Sequence, residues 1–240
     1  MSGHSKWANI KHKKTAQDAK KSKGFSRVSN LIALAAKQGN DPDPKTNSYL
    51  RDAIAKAKEI NMPQDNISRA IKRGLGQIPG MIFEELVLEA YGPEGIAVLI
   101  KAATDNRNRT IAEIRKIISN AGGNLAESGS VLYLFKEMVK IEVDKQLWQK
   151  YQGLELEVID LGAEDILEND LITILCPKNK LSSIRELLEK RQIPAETEII
   201  YSTENPQTVS PEAKEKIEHL VVELEERDDV LSVYTNINLD

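Results

Sequence analysis

The sequence predicts an α+β chain of several small domains, with a helical N-terminal part followed by two modules in which strands and helices alternate. Three observations predict it. Between residues 25 and 74, apolar side chains recur at helical spacing in three runs separated by turn residues. The stretch Gly74-Leu-Gly-Gln-Ile-Pro-Gly80 then interrupts the pattern with glycine and proline. Beyond it, short β-branched runs alternate with amphipathic ones in the order ββαβ, βαβαβ, αβ. At 240 residues and 40% apolar content, the chain has enough material for one large core or two to three small ones.

The elements follow in order. Phe25–Gln38 places Val28, Leu31, Ile32 and Ala35 on one face, and Gly39 is the expected left-handed stop. Asp41-Pro-Asp-Pro44 makes a turn. Tyr49–Ile60 repeats the pattern with Leu50, Ala53, Ile54 and Ala57. Pro63 suits the first turn of a third helix whose Ile67, Ala70 and Ile71 face inward, with Gly74 at its end. Strands are expected at Leu86–Tyr91 and Ile96–Ala102, joined by Gly92-Pro-Glu-Gly95, then a helix at Arg107–Asn120 and a strand at Val131–Phe135. The next series is a strand at Val139–Val143, a helix within Gln146–Leu161, a strand at Asp170–Cys176, a helix at Leu181–Arg191 and a strand at Thr197–Ser202. Ser210-Pro211 opens a last helix, with Ser as cap and Pro in the first position, and Leu231–Ile237 closes as a strand. Periodicity leaves open which module this last pair completes.

Charge is distributed unevenly. Residues 1–76 hold sixteen Lys and Arg against six Asp and Glu, a net of +10, whereas the remainder nets −14 and the whole chain −4. Within residues 1–27 there are eight bases and one acid, Asp18. Lysines facing phosphates release condensed counterions, so such a cluster points to an anionic polymer as partner. A solvated, solubilising tail is the plainer reading. Lys6, Trp7, Lys11, His12, Lys13, Lys14, Lys20, Lys21, Lys23 and Arg27 form the candidate nucleic-acid-binding set, extended on the third helix by Arg69, Lys72 and Arg73. Trp7 among cations could stack on an unpaired base, or anchor the segment to the helices. Lys72 and Arg73 could equally serve a helix C-terminus. Asn106, Arg107 and Arg109 lie where a strand gives way to a helix, a candidate second anion site; the alternative is a cap at Asp105 or Asn106, with both arginines paired to acids of the other module.

Other chemistry finds little support. The three histidines, His4, His12 and His219, have neither His-x-x-x-His spacing nor a cysteine partner, so no metal site is expected. Gly74-x-Gly76 lacks a preceding strand, and no phosphate loop occurs. Asp41 and Asp43 are followed by Lys45, wrong for a calcium loop. Cys176, the single cysteine, reads as a buried structural thiol in a reducing compartment. The acidic run Glu223–Asp229 reads as a solvated helix end. No catalytic residue, cofactor or small-molecule substrate is expected. Met1–Lys14 does not read as a secretory or import leader, and no run approaches a membrane span, so a cytoplasmic location is the expectation.

Gly3-His-Ser-Lys-Trp7, Ile10-Lys-His-Lys-Lys14, Asn61-Met-Pro-Gln-Asp-Asn-Ile67, Tyr91-Gly-Pro93, Thr104–Thr110 and Gly122-Gly-Asn-Leu125 occur in one order along the chain. This set resembles the YebC/PmpR family, which includes the mitochondrial translational activator of cytochrome c oxidase. The resemblance implies an α+β multidomain fold: an N-terminal three-helix domain (1–79) plus two small ferredoxin-like α+β modules, one inserted in the other. The central one would comprise 80–134 and 206–240, and the inserted one 135–205. It also implies a non-enzymatic, nucleic-acid-binding regulator of gene expression, described for the family as a DNA-binding transcriptional regulator. The alternative is a ribosome-associated factor that binds ribosomal RNA and relieves stalling at proline-rich stretches. Three places depart from the family pattern: Asn40–Pro44 replaces a double-glycine joint, Glu94 stands where glycine is usual, and Leu154–Ile159 is unusually apolar for its helix.

Overall fold

The computed structural model describes residues 24–203 and 205–237. Three helices come first: α1 (Gly24–Gly39), α2 (Ser48–Glu59) and α3 (Gln64–Gly74). The chain continues β1 (Glu84–Tyr91), β2 (Ala97–Thr104), α4 (Arg107–Asn120) and β3 (Asn124–Leu125). Next come β4 (Lys136–Asp144), α5 (Lys145–Trp148), α6 (Leu154–Asp160), β5 (Asp165–Glu168), β6 (Leu171–Cys176), α7 (Leu181–Lys190) and β7 (Ala195–Ser202). It ends with α8 (Pro211–Glu225) and β8 (Val230–Thr235).

The helical part closes around Ile32, Ala36, Leu50, Ala57, Ile67 and Ala70. Asn47 caps α2 by accepting from Leu50 N at 3.1 Å, while its amide donates to Ala35 O at 2.9 Å and ties α2 to α1. The left-handed residue after α1 is Asn40 (φ 46°), not Gly39. Asn tolerates that region through its short polar side chain. Gly39 is required for space instead, since a Cβ there would fall 2.1 Å from the Asn47 side chain. Pro63 precedes α3 at its cap rather than lying in the first turn. Gly74 ends α3 and also lets it approach α1, because a Cβ there would stand 2.0 Å from the Ala33 carbonyl oxygen.

The first sheet has the order β3-β1-β2-β8 and is antiparallel throughout. Leu86, Val98 and Ile100 on one face meet Ile114 and Ile118 of α4 and Leu220 and Leu224 of α8. Because β8 pairs with β2, the segment after residue 205 returns to this sheet. Glu94 occupies the left-handed region (φ 55°) in the β1–β2 turn, which explains why glycine suits that position; its carboxylate accepts from Ser210 Oγ at 2.8 Å. The helical part packs on the same unit. Ala33 and Leu34 of α1 bury against Phe83, Ala103 and Leu231, Lys37 Nζ donates to Phe83 O at 2.6 Å, and Asn30 donates to Asp228 O at 3.1 Å. Residues 24–134 and 205–237 thus form one compact unit, and residues 135–203 a second.

The second unit has sheet order β5-β6-β4-β7, also antiparallel. With its strands and helices in the sequence βαββαβ, this is the ferredoxin-like arrangement. The first unit's sheet has the same layering, with helices on one face, but opens with a hairpin and so differs in connectivity. Val139, Ile141, Ile172 and Ile174 pack against Leu154, Val158, Ile184 and Leu188.

Three further differences from the sequence reading concern whole elements. Val131–Phe135 is not a strand; Leu132–Leu134 is a 3-10 turn, and the two residues paired with β1, Asn124 and Leu125, lie earlier, in β3. The cause is Glu89, whose buried carboxylate accepts from Gly129 N at 2.6 Å, Val131 N at 2.7 Å and Leu132 N at 2.8 Å, so those donors have no ladder to join. The single helix expected within Gln146–Leu161 is two, α5 and α6, divided at Gly153 in the left-handed region (φ 82°). Strand β5 went unrecognised, since Asp165-Ile-Leu-Glu168 is short and flanked by charge.

Candidate nucleic-acid interface

Lys6, Trp7, Lys11, His12, Lys13, Lys14, Lys20, Lys21 and Lys23 lie outside the described residues. The remaining candidates separate into cations turned to solvent and cations used inside the fold. On α3, Ile67, Ala70 and Gly74 face inward, which leaves Asp65, Ser68, Arg69 and Lys72 on the outward stripe. Arg69 and Lys72 are exposed and have no ion pair among the described residues.

Arg73, next in sequence, points the other way. Its Nη2 donates to Asn30 Oδ1 at 2.6 Å and to Ser29 Oγ at 3.2 Å, and its guanidinium lies 4.7 Å from the centre of the Phe83 ring. Burial lowers its pKa from the ordinary arginine value; Asp105 and Asp229 pull it up, and Arg69 pushes it down. The guanidinium stays charged throughout. Arg27 likewise donates to Leu231 O, at the junction of α1 with β8. Both arginines fasten the helices to the first sheet.

At the candidate second anion site, local pairing prevails. Asn106 caps α4, its Oδ1 accepting from Arg109 N at 3.2 Å. Arg107 reaches Glu84 Oε2 at 3.1 Å and Arg109 reaches Asp229 Oδ2 at 3.1 Å. These acids belong to the same module, not to the other one. Asp229 also accepts from Thr110 Oγ1 at 2.6 Å, and its proximity raises the Arg109 pKa. Both arginines remain about half exposed, with side-chain accessibilities of 54% and 49%. Asp229 is the organiser that sequence reasoning missed: it sits in an acidic run read as solvated helix end, and only the return of β8 to β2 brings it to the start of α4.

The sequence reading also passed over Arg115 and Lys116. Both are exposed on the outward side of α4, and neither has an ion pair among the described residues. Their spacing from Arg107 and Asn108, two helical turns on, was the available signal.

Cys176 is fully buried, and burial, with Glu164 adding to it, pushes its thiol to about 11, far from a nucleophile's range. Among the described residues no group of His, Cys, Asp and Glu could hold a metal ion, and no helix is long and apolar enough to cross a membrane.

The profile for the TACO1/YebC N-terminal domain matches residues 5–77, and that for the TACO1/YebC second and third domain matches residues 83–237. The chain belongs to the TACO1/YebC family. A probable transcriptional regulatory protein of Pseudothermotoga lettingae is 46% identical over 241 residues, covering 100% of this chain and 95% of that protein. One of Thermosipho africanus is 43% identical over 240 residues, with the same coverage. The crystal structure of a conserved hypothetical protein from Aquifex aeolicus superposes with a TM-score of 0.80 at 40% identity, covering 96% of each chain. Both of these curated relatives are named probable transcriptional regulatory proteins.

Proposed function

We propose that this TACO1/YebC protein is a non-enzymatic, cytoplasmic regulator of transcription that holds DNA through its basic N-terminal part. The observation that carries the reading is the division of labour on α3. Arg73 is committed to the fold, whereas Arg69 and Lys72 stand outward and unpaired. They add exposed charge from a helix of the described fold to the eight bases of residues 1–27. Lys6, Trp7, Lys11, His12, Lys13, Lys14, Lys20, Lys21 and Lys23 supply the remaining contacts in this reading. The binding is electrostatic, neutralising phosphates rather than reading bases.

Fluorescence anisotropy of the full chain on a promoter duplex and a random duplex, across a salt series, tests it. Steep weakening with salt is expected on both duplexes. Affinity that is independent of salt would overturn it, and a large preference for the promoter would replace backbone gripping with base readout.

A second reading has one observation in its favour. Asp65 sits on the same outward face as Arg69 and Lys72, where a carboxylate disfavours insertion into a duplex groove. A surface that grips backbones accepts ribosomal RNA as well as DNA, which is the translation-factor alternative. In-cell crosslinking with sequencing of the attached nucleic acid separates the two. Promoter DNA supports the first; ribosomal RNA lost on deletion of residues 1–24 supports the second.

A further inference from the structure

We propose that the outward face of α4 is a second contact for the phosphate backbone of duplex DNA, centred on Arg115 and Lys116. The proposal rests on the nucleic-acid reading above but places a contact in a different module, outside the basic N-terminal part.

The helix itself supplies the argument. Thr110, Ile114, Ile117 and Ile118 bury one side of α4. At 3.6 residues per turn, the opposite stripe is Asn108, Ala112, Arg115, Lys116 and Ser119, and all five are exposed. That stripe contains no acid. Glu113, the one carboxylate within the helix, is tied to Arg227 of the segment after α8. The other cations of this helix are held as well, Arg107 by Glu84 and Arg109 by Asp229. Arg115 and Lys116 are therefore left with adjacent uncompensated charges. Their neighbours on the stripe, Asn108, Ala112 and Ser119, are small and uncharged, and a backbone can come close.

The contrast with α8, which packs beside α4, sharpens the point. Lys216 of α8 also makes no ion pair among the described residues, but it stands next to Glu215 and one turn from Glu212. Its field is cancelled locally. The two helices give one layer with a basic and an acidic side, and only the basic side suits a polyanion. Arg115 and Lys116 lie about 12 Å along the helix from its start, at 1.5 Å per residue. Arg107 and Arg109 at that start keep half their side chains open to solvent. A backbone laid along α4 meets charge at both ends. The stripe carries no Gln and a single Asn, Asn108, near the helix start, which fits positioning rather than base recognition.

The test uses the full chain and a fluorescein-labelled random-sequence 20-base-pair DNA duplex, with anisotropy measured from low to high salt. The double substitution Arg115→Gln, Lys116→Gln is expected to lower the slope of log affinity against log salt by about 1.8, at roughly 0.9 per phosphate contact. Ala112→Glu, which puts a carboxylate into the stripe without disturbing any present contact, is expected to weaken binding in the same direction. Lys216→Gln serves as the control and leaves binding unchanged. Circular dichroism verifies that each variant is folded. Wild-type slope and affinity in both α4 variants, while Arg69→Gln with Lys72→Gln weakens binding, would overturn the proposal and leave the N-terminal reading standing. Loss confined to a single-stranded RNA of equal length would overturn the assignment to duplex DNA. A wild-type chain without salt-dependent binding would remove the underlying reading as well.

Discussion

Neighbouring residues of identical type do different work here. Arg69 and Arg73 lie one turn apart, yet one faces water and the other stacks on Phe83 and binds Asn30. Arg73→Lys keeps the charge but loses the planar fork and the stacked face. It is expected to lower stability by about 1–3 kcal/mol in urea titration, with the salt dependence of nucleic-acid binding unchanged. Arg69→Gln with Lys72→Gln is expected to do the reverse, with stability within about 0.5 kcal/mol of wild type and a shallower salt slope. Glu89 is the other decisive residue. It is only 4% exposed. Burial pushes its carboxyl up, but the N–H groups of Val131, Gly129, Leu132 and Ser130 outweigh this and hold it below the ordinary value. A depressed folded pKa gives stability that is complete above the unfolded value, about 4.3, and is lost as the pH falls through the folded one. Glu89→Gln is therefore expected to cost about 1–3 kcal/mol at pH 7. The gap to wild type should narrow as the pH is taken below 4.3, measured by denaturation at each pH. A constant gap would mean that the carboxylate's charge is irrelevant to the loop.

At the scale of elements, the helix and strand pattern was largely legible because it depends on side-chain periodicity and local punctuation. Ser210-Pro211 opened α8 as read, with Ser210 Oγ accepting from Ala213 N at 3.2 Å. The failures share a cause. The 129–134 turn, the break at Gly153 and strand β5 are short, and each is decided by a partner remote in sequence or by one backbone angle. Helix α6 also divides the sequence's unusual apolar residues: Leu154 and Val158 are buried, whereas Leu156 and Ile159 face outward, Leu156 being 68% exposed. Gly74 illustrates packing concealed within a stop signal. Gly74→Ala would press a methyl onto the Ala33 carbonyl, backbone that cannot swing aside. A loss of about 1–3 kcal/mol is expected, read as a lower midpoint in thermal unfolding. A neutral or stabilising outcome would mean that α3 and α1 separate easily.

At the scale of the whole molecule, the Gly/Pro stretch after α3 does not set the helices apart. Phe83 anchors them to the first sheet, lying against α1 and under Arg73. Phe83→Ala is expected to cost about 3–5 kcal/mol. It should speed hydrogen exchange in α1 and in β2 and β8 together, while the unit of residues 135–203 keeps its protection. Exchange that rises in α1 alone would mean that the helices open independently of the sheet.

The sequence by itself determined the α+β class, the helix faces, the charge asymmetry and the family motifs. These depend on residues close together in the chain and on composition, which a linear reading contains. The tertiary structure alone decided which cations are free. Glu84, Asp229 and Asn30 reach Arg107, Arg109 and Arg73 across 23 to 120 residues only after the elements have packed and the last segment has returned to β2. An ion pair is a matter of distance in space, and the order of residues along a chain does not state that distance.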